Sequence, residues 1–338
     1  MGEEKTRWGI LGPGIIAHRF ADALHHHPDC ELMAVASRTP GKAAAFAEEH
    51  AAEAAEDYET LVADSRIDVV YVATTHNFHA ENARLALSHD KHVVIEKPIT
   101  VNAREARELA ELARARGLFL MEAMWTRFLP SIRAMKAALK EGAIGEVLHL
   151  QAAFGGFVPD HYRNRLSSPE LAGGVTLDMG CYPISFACHL LDALPSEVQS
   201  MARMSETGVD ELAIYQFRFP DGRTAAITAS YDLKLQSEAA IYGTRGFIEF
   251  PDFPAGESFV IHRHDGTNEI VESTTISKSG HANGFYHQID EVVRCLEAGE
   301  TESPLMPAGE SVALMELMDD MRADWGLVYP FEASTRNP

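Results

Sequence analysis

The run Arg7-Trp8-Gly9-Ile10-Leu11-Gly12-Pro13-Gly14-Ile15-Ile16-Ala17 constrains the fold of this chain more than any other stretch. A short apolar run, which reads as a buried strand, passes directly into glycines and then into the helical pattern IIAHRFADALHHH, which stops before Pro28. Gly12 permits a tight turn, Gly14 lets the backbone approach a bound group, and Ala17 is small enough for close helix–strand packing. A helix starting there offers free N–H groups and the positive end of its dipole to an anion. This junction predicts a parallel, doubly wound sheet whose first turn holds the pyrophosphate of a dinucleotide through Gly12, Gly14, Ile15 and Ile16.

The remainder of the first third alternates in the way such a sheet requires. ELMAVAS, IDVVYVAT, KHVVIE and LFLMEA are apolar, strand-like runs, separated by the helical patterns TPGKAAAFAEEH, NFHAENARLALSHD and NAREARELAELARARG. The pattern changes after Met124. PSIRAMKAALKEG and GCYPISFACHLLD read as helices, an irregular stretch lies between Gly155 and Gly174, and strand patterns with hairpin turns dominate from Glu197 to Val271. Two helical patterns, FYHQIDEVVRCLEAG and PAGESVALMELMDDMRADWG, close the chain. With 338 residues the chain exceeds one ordinary core, which predicts two domains. The expected class is α/β: a dinucleotide-binding domain over 1–124, then a second domain over 125–338 with a largely antiparallel sheet.

The end of the second strand bears on which dinucleotide binds. A carboxylate there would bind the ribose hydroxyls of NAD. This chain has Ala36-Ser37-Arg38-Thr39 instead. Arg38 can stack on adenine or pair with a 2′-phosphate, Ser37 and Thr39 can donate to it, and Lys42 is a second cation. NADP is therefore expected over NAD.

Two further segments carry chemistry. Glu96-Lys97-Pro98 ends an apolar strand, where doubly wound sheets bind ligands, and an ammonium there can stabilise a developing alkoxide. Lys97 alone reads better as a surface lysine. In Gly173-Gly174-Val175-Thr176-Leu177-Asp178-Met179-Gly180-Cys181-Tyr182 a helical conformation would put Asp178 and Tyr182 one turn apart. A tyrosine beside a cation can act as general acid or base, and Asp178 can orient a polar substrate; Tyr182 alone reads equally well as a buried tyrosine.

The glycine loop, Glu96-Lys97-Pro98, Met124-Trp125-Thr126-Arg127-Phe128, the GG-x3-D-x-G-x-Y segment and the closing Trp325-Gly326-Leu327-Val328-Tyr329-Pro330 occur in an order that resembles the Gfo/Idh/MocA oxidoreductase family. Within it, the chain is similar to the branch holding dimeric dihydrodiol dehydrogenases and NADP-linked D-xylose 1-dehydrogenases. The resemblance implies that Lys97 is catalytic, with Tyr182 where many members have histidine. It implies that Trp125 and Phe154 line the substrate or nicotinamide pocket, with Arg127 and Arg165 as polar contacts. It implies nicotinamide-ribose contacts from Thr74, His76 and His79 in the run after the strand IDVVYVA, where His76 stands in place of the usual asparagine, and cofactor contacts from Glu96, Lys97, Trp125 and Arg127. It also implies a Rossmann domain followed by an α/β domain over 125–338 whose open, mostly antiparallel sheet serves substrate binding and oligomerisation, with a homodimer or higher homo-oligomer formed through it. The implied reaction is hydride transfer between NADP and a carbinol carbon of a sugar, cyclic polyol or vicinal diol. A catalytically silent dinucleotide-binding regulator and an NAD-dependent glycoside hydrolase are the competing readings.

Charge and composition exclude other classes. A formal net charge of −21 argues against nucleic acid or an anionic membrane as partner. The charged start MGEEKTR and the lack of an apolar run of about 20 residues predict a cytoplasmic protein. The four cysteines show no CxxC spacing and read as reduced thiols. His25-His26-His27 reads as a solvated helix end, His262 and His264 lack a third ligand, and no metal site is expected.

Overall fold

A computed structural model describes residues 5–267 and 269–333. The chain forms two compact units, Met1–Trp125 with His281–Glu316, and Thr126–Gly280 with Leu317–Pro338. This differs from the expected division at 124 and 125 by the segment His281–Glu316, which belongs with the first unit.

In the first unit strands and helices alternate: β1 (Thr6–Leu11), α1 (Ile15–His26), β2 (Cys30–Ala36), α2 (Lys42–Glu49), β3 (Glu53–Ala54), α3 (Tyr58–Ala63), β4 (Val69–Val72), α4 (His79–Ser88), β5 (His92–Glu96), α5 (Ala103–Arg116) and β6 (Leu120–Ala123). All pairings are parallel, in the order β3-β2-β1-β4-β5-β6. This is the doubly wound sheet the glycine loop demands, with its switch point between β1 and β4. β4 is fully buried along its length, as expected of a parallel strand covered on both faces. Behind the loop, Phe20 stacks on Tyr71 with ring centroids 3.7 Å apart and meets Trp8 edge-on at 5.3 Å. The short β3 and α3 have too few residues to show a hydrophobic period.

The second unit opens with α6 (Pro130–Lys140), β7 (Val147–Gly155), α7 (Asp160–Leu166) and α8 (Cys181–Leu191). There follow β8 (Glu197–Met204), β9 (Asp210–Arg218), β10 (Thr224–Ser230), β11 (Glu238–Gly243), β12 (Gly246–Phe250), β13 (Ser258–His264) and β14 (Ile270–Ser277). Among the described residues these strands make one open eight-stranded sheet, ordered β14-β13-β12-β11-β7-β10-β9-β8. It is antiparallel except where β10 runs beside β7. Alternation sorts its faces. Ala213, Tyr215, Phe217, Ile227, Ile241 and Phe250 are buried on the face that α8 covers. The other face carries Met201, Ile214, Thr228 and Tyr242, of which Met201 is 66% exposed. The expected irregular stretch before Gly174 contains α7.

Three helices close the chain: α9 (Tyr286–Glu297), α10 (Ala308–Asp324), and α11 (Pro330–Ala333). α9 packs on α1 in the first unit, and Asn283 donates to the Arg19 carbonyl at 2.7 Å. That packing corrects one expectation. His27 is not part of a solvated helix end but is 5% exposed, its ring stacked on Tyr286 at 5.0 Å. All four cysteines are buried and none is in a disulfide. No described helix is long and apolar enough to cross a membrane.

Candidate functional site

In the first unit, the loops at the carboxyl ends of β1, β2, β4 and β5 carry most of the predicted residues. Gly12 has φ +92°, and a Cβ there would lie 2.9 Å from Thr74 Cγ2, so the turn after β1 excludes any side chain. A Cβ at Gly14 would meet nothing within 4 Å. The glycine therefore leaves open space beside the start of α1. That helix start has no side-chain cap and no acidic residue in its first turn, and Ile15 beside it is 55% exposed. Uncapped N–H groups, a bare glycine face and the helix dipole fit a pyrophosphate. Ala17 is fully buried and closes the packing beneath.

After β2, Arg38, Thr39 and Lys42 are exposed and Ser37 is half-buried, its Oγ accepting from Thr39 N at 3.1 Å. The Arg38 guanidinium lies 3.5 Å over the Phe78 ring. The stacking fixes one face of the arginine while its chain stays at the surface, an arrangement suited to a base or phosphate.

The turn after β5 is braced from several sides. Glu96 is buried. One carboxylate oxygen accepts from the Tyr71 hydroxyl, and the other accepts from Lys97 N at 3.1 Å. Burial pushes Glu96 up to about 6, against the opposing pull of Lys97. Lys97–Pro98 is a cis peptide, and the next amide, Ile99 N, donates to buried Glu122 at 3.1 Å. His79 is fully buried, with Nδ1 2.8 Å from the Pro98 carbonyl and Nε2 3.1 Å from the Thr74 carbonyl. It thus ties the loop after β4 to the turn after β5. Both its ring nitrogens face carbonyls, so the geometry makes His79 a positioning residue rather than a ribose contact. His76 is buried 5.6 Å from it, ring edge to face. Thr74 accepts from Asn82 at 3.1 Å. Trp125 is stacked on Phe285 at 5.4 Å, with the Arg19 guanidinium 5.8 Å from its ring.

In the second unit, the segment from Gly173 to Tyr182 is shaped by carboxylate and phenol groups that its own sequence does not reveal. Thr176–Gly180 forms a π-turn leading into α8. Asp210, at the start of β9, is fully buried and accepts from Thr176 N at 2.8 Å and from the Thr176 hydroxyl, which also meets Tyr215 Oη at 2.8 Å. Burial raises the Asp210 carboxyl above its ordinary value, opposed by the Thr176 hydrogen bonds. Gly174 has φ +118°, and a Cβ there would lie 2.1 Å from Asp210 Oδ1. The Tyr329 hydroxyl donates to the Gly173 carbonyl at 2.6 Å.

This scaffold brings four predicted residues together. Asp178 receives Arg165 Nη2 at 2.7 Å, and both side chains are largely buried. Tyr182 follows one turn later, with Phe154 edge-on at 5.6 Å. Arg127 is 2% exposed, with Nε donating to Ser185 Oγ at 2.8 Å, a bond that ties it to α8. Its charge, after burial itself, helps push His189 down to about 2. Sequence reasoning missed Tyr71, Glu122 and Asp210. A carboxylate within or opening an otherwise apolar strand was the available sign for Glu122 and Asp210, and Tyr71 carried none.

Residues 6–124 match the family profile described as GFO/IDH/MocA, "Oxidoreductase family, NAD-binding Rossmann fold". Residues 132–249 match the profile of the GFO/IDH/MocA C-terminal domain. A trans-1,2-dihydrobenzene-1,2-diol dehydrogenase of Xenopus tropicalis is 33% identical over 330 residues, covering 96% of this chain and 99% of the relative. That of Mus musculus is 34% identical over 331 residues, covering 96% and 98%. Among solved structures, KijD10, a 3-ketoreductase from Actinomadura kijaniata in complex with NADP and TDP-benzene, is 27% identical with a TM-score of 0.84, over 95% of this chain and 98% of that one. KijD10 variants with one tyrosine or one lysine replaced also match. An aldose–aldose oxidoreductase from Caulobacter crescentus, 21% identical with a TM-score of 0.85 over 96% and 98%, shares the fold. With both profiles matched and relatives at this identity over nearly the whole length, the chain belongs to the GFO/IDH/MocA family of NAD(P)-dependent oxidoreductases.

Proposed function

We propose that the chain is an NADP-linked dehydrogenase or reductase acting on a carbinol carbon of a sugar, cyclic polyol or vicinal diol. The observation that carries this reading is a braced Lys97 at the carboxyl end of β5, in a sheet whose first turn offers the open face of Gly14. Its relatives are named for a diol, and KijD10 was solved with NADP. The dinucleotide, when bound, supplies the hydride acceptor or donor.

The protein's own residues bind, orient and move a proton. Gly12, Gly14, Ile15 and Ile16 receive the pyrophosphate. Ser37, Arg38, Thr39 and Lys42 receive the adenosine 2′-phosphate, which favours NADP over NAD. Thr74, His76, His79 and Glu96 shape the loops after β4 and β5, the last two by holding the backbone around Lys97. Tyr182 exchanges the proton of the substrate hydroxyl, and the Lys97 ammonium favours its phenolate form and the alkoxide. Asp178, held by Arg165, orients a substrate hydroxyl. Trp125 and Phe154 supply apolar surfaces. A second copy of the chain is the proposed partner at the exposed sheet face, in a cytoplasmic enzyme.

The test is a panel of aldoses, inositols and vicinal diols, each with NADP and with NAD, read by absorbance of the reduced nicotinamide. Turnover of at least one class with NADP preferred is expected, and Arg38→Ala should narrow that preference. A preference for NAD would overturn the role of Arg38. Stoichiometric NADP binding without turnover on any class would overturn the catalytic reading in favour of a silent regulator.

A further inference from the structure

His18, Asp22 and His25 follow one another at spacings of four and three residues, on one face of α1. Opposite them, α2 ends in Glu49, and His50 caps it. The Phe46 ring lies 4.5 Å from the ring of His18 and 4.4 Å from that of His50, an apolar floor under both imidazoles. Three donor atoms converge above it. His18 Nδ1 and His50 Nε2 are 2.8 Å apart, His18 Nδ1 and Glu49 Oε1 3.4 Å, and His50 Nε2 and Glu49 Oε1 3.8 Å.

Two imidazole nitrogens and a carboxylate oxygen, each about 2.0–2.1 Å from a tetrahedral zinc, stand roughly 3.3 Å from one another. The observed triangle brackets that edge length. His50 is 3% exposed, so its ring is held, and its other nitrogen, Nδ1, faces Asp22 Oδ1 at 3.8 Å. A carboxylate behind a histidine ligand is the recurrent outer partner that fixes ring orientation. The His50 ring also stacks against that of His25 at 5.7 Å.

We propose that His18, His50 and Glu49 bind one zinc ion per chain, with Asp22 orienting His50 and the fourth position left to solvent. The ion crosslinks α1 to α2. No motif in the sequence shows this set, because the two histidines lie 32 residues apart. The donors suit a late first-row divalent ion, not magnesium or calcium, which take oxygen ligands.

The test is calorimetric titration of ZnCl2 into the metal-stripped, full-length chain carrying no histidine tag, with MgCl2 in parallel. One zinc per chain and no heat with magnesium are expected. Asp22→Asn should weaken zinc about tenfold, and His18→Ala, His50→Gln and Glu49→Gln should each weaken it further. His262→Ala, at a histidine on β13 in the second unit, should leave affinity unchanged. Cobalt(II) should give the visible absorption of a tetrahedral site, lost in His18→Ala. Should His50→Gln fail to fold by circular dichroism, the more exposed His18 and Glu49 decide alone. Zinc affinity unchanged in His18→Ala and Glu49→Gln, or lost equally in His262→Ala, overturns the proposal.

Discussion

Lys97 and Tyr182 are each ordinary residue types whose roles come from what holds them. Tyr182→Phe removes the exchangeable proton and Lys97→Met removes the charge, and neither alters the glycine loop. Each should lower kcat by about 10²–10⁴-fold while NADP still binds stoichiometrically by fluorescence titration; near-normal kcat in both would remove them from the chemistry. Glu96 gives a prediction of different sign. Its folded-state pKa, about 6, lies above the ordinary 4.5 because of burial, so the native state takes up this proton first. Its contribution to stability therefore falls as pH rises from about 4.5 to about 6, by about 2 kcal/mol. Urea midpoints followed across that window should show this loss in the wild type and a flatter profile in Glu96→Gln. At this scale the sequence displayed which residues could do chemistry, but not where they point. Arg127 looked equal to Arg165, yet one is buried against Ser185 and the other meets Asp178. Direction depends on partners distant in the chain, and no local spacing encodes it.

Glycines separate two demands on the elements. Gly174 is forced by the fold, with φ +118° and Asp210 against its missing side chain. Gly14 is extended and faces open space. Gly174→Ala should cost about 3 kcal/mol in denaturant unfolding, through backbone strain and displacement of a buried carboxylate. Gly14→Ala should cost no more than about 1 kcal/mol but weaken NADP binding at least tenfold in a fluorescence titration. Equal effects of the two on stability would refute this division. The alternation of buried strands and amphipathic helices made the first sheet legible, because its strands β4, β5 and β6 are hidden on both faces while the helices bury one. The π-turn at Thr176–Gly180 was not legible, since it is set by Asp210 and Tyr215, 34 and 39 residues away from Thr176. Likewise, the periodicity of α9 showed that one face is buried but not that α1 buries it.

For the whole molecule, the eight-stranded sheet leaves Met201 and Tyr242 exposed on the face opposite α8. Apolar residues on such a face are suited to a self-complementary interface. Met201→Asp paired with Tyr242→Asp should turn a dimer into a monomer in sedimentation velocity with the circular dichroism spectrum retained. A wild-type chain already monomeric at micromolar concentration would refute the homodimer.

The route of the chain has a consequence for its synthesis. The first unit uses Met1–Trp125 and His281–Glu316, so the backbone passes between units after residues 125, 280 and 316. A ribosome delivers the six parallel strands early, but α9, which packs on α1, arrives only after the whole eight-stranded sheet. The nascent N-terminal region therefore waits, with the α9-facing side of α1 bare, while some 155 intervening residues are made. A fragment ending at Trp125 corresponds to that waiting state, not to a minimal nucleotide-binding protein.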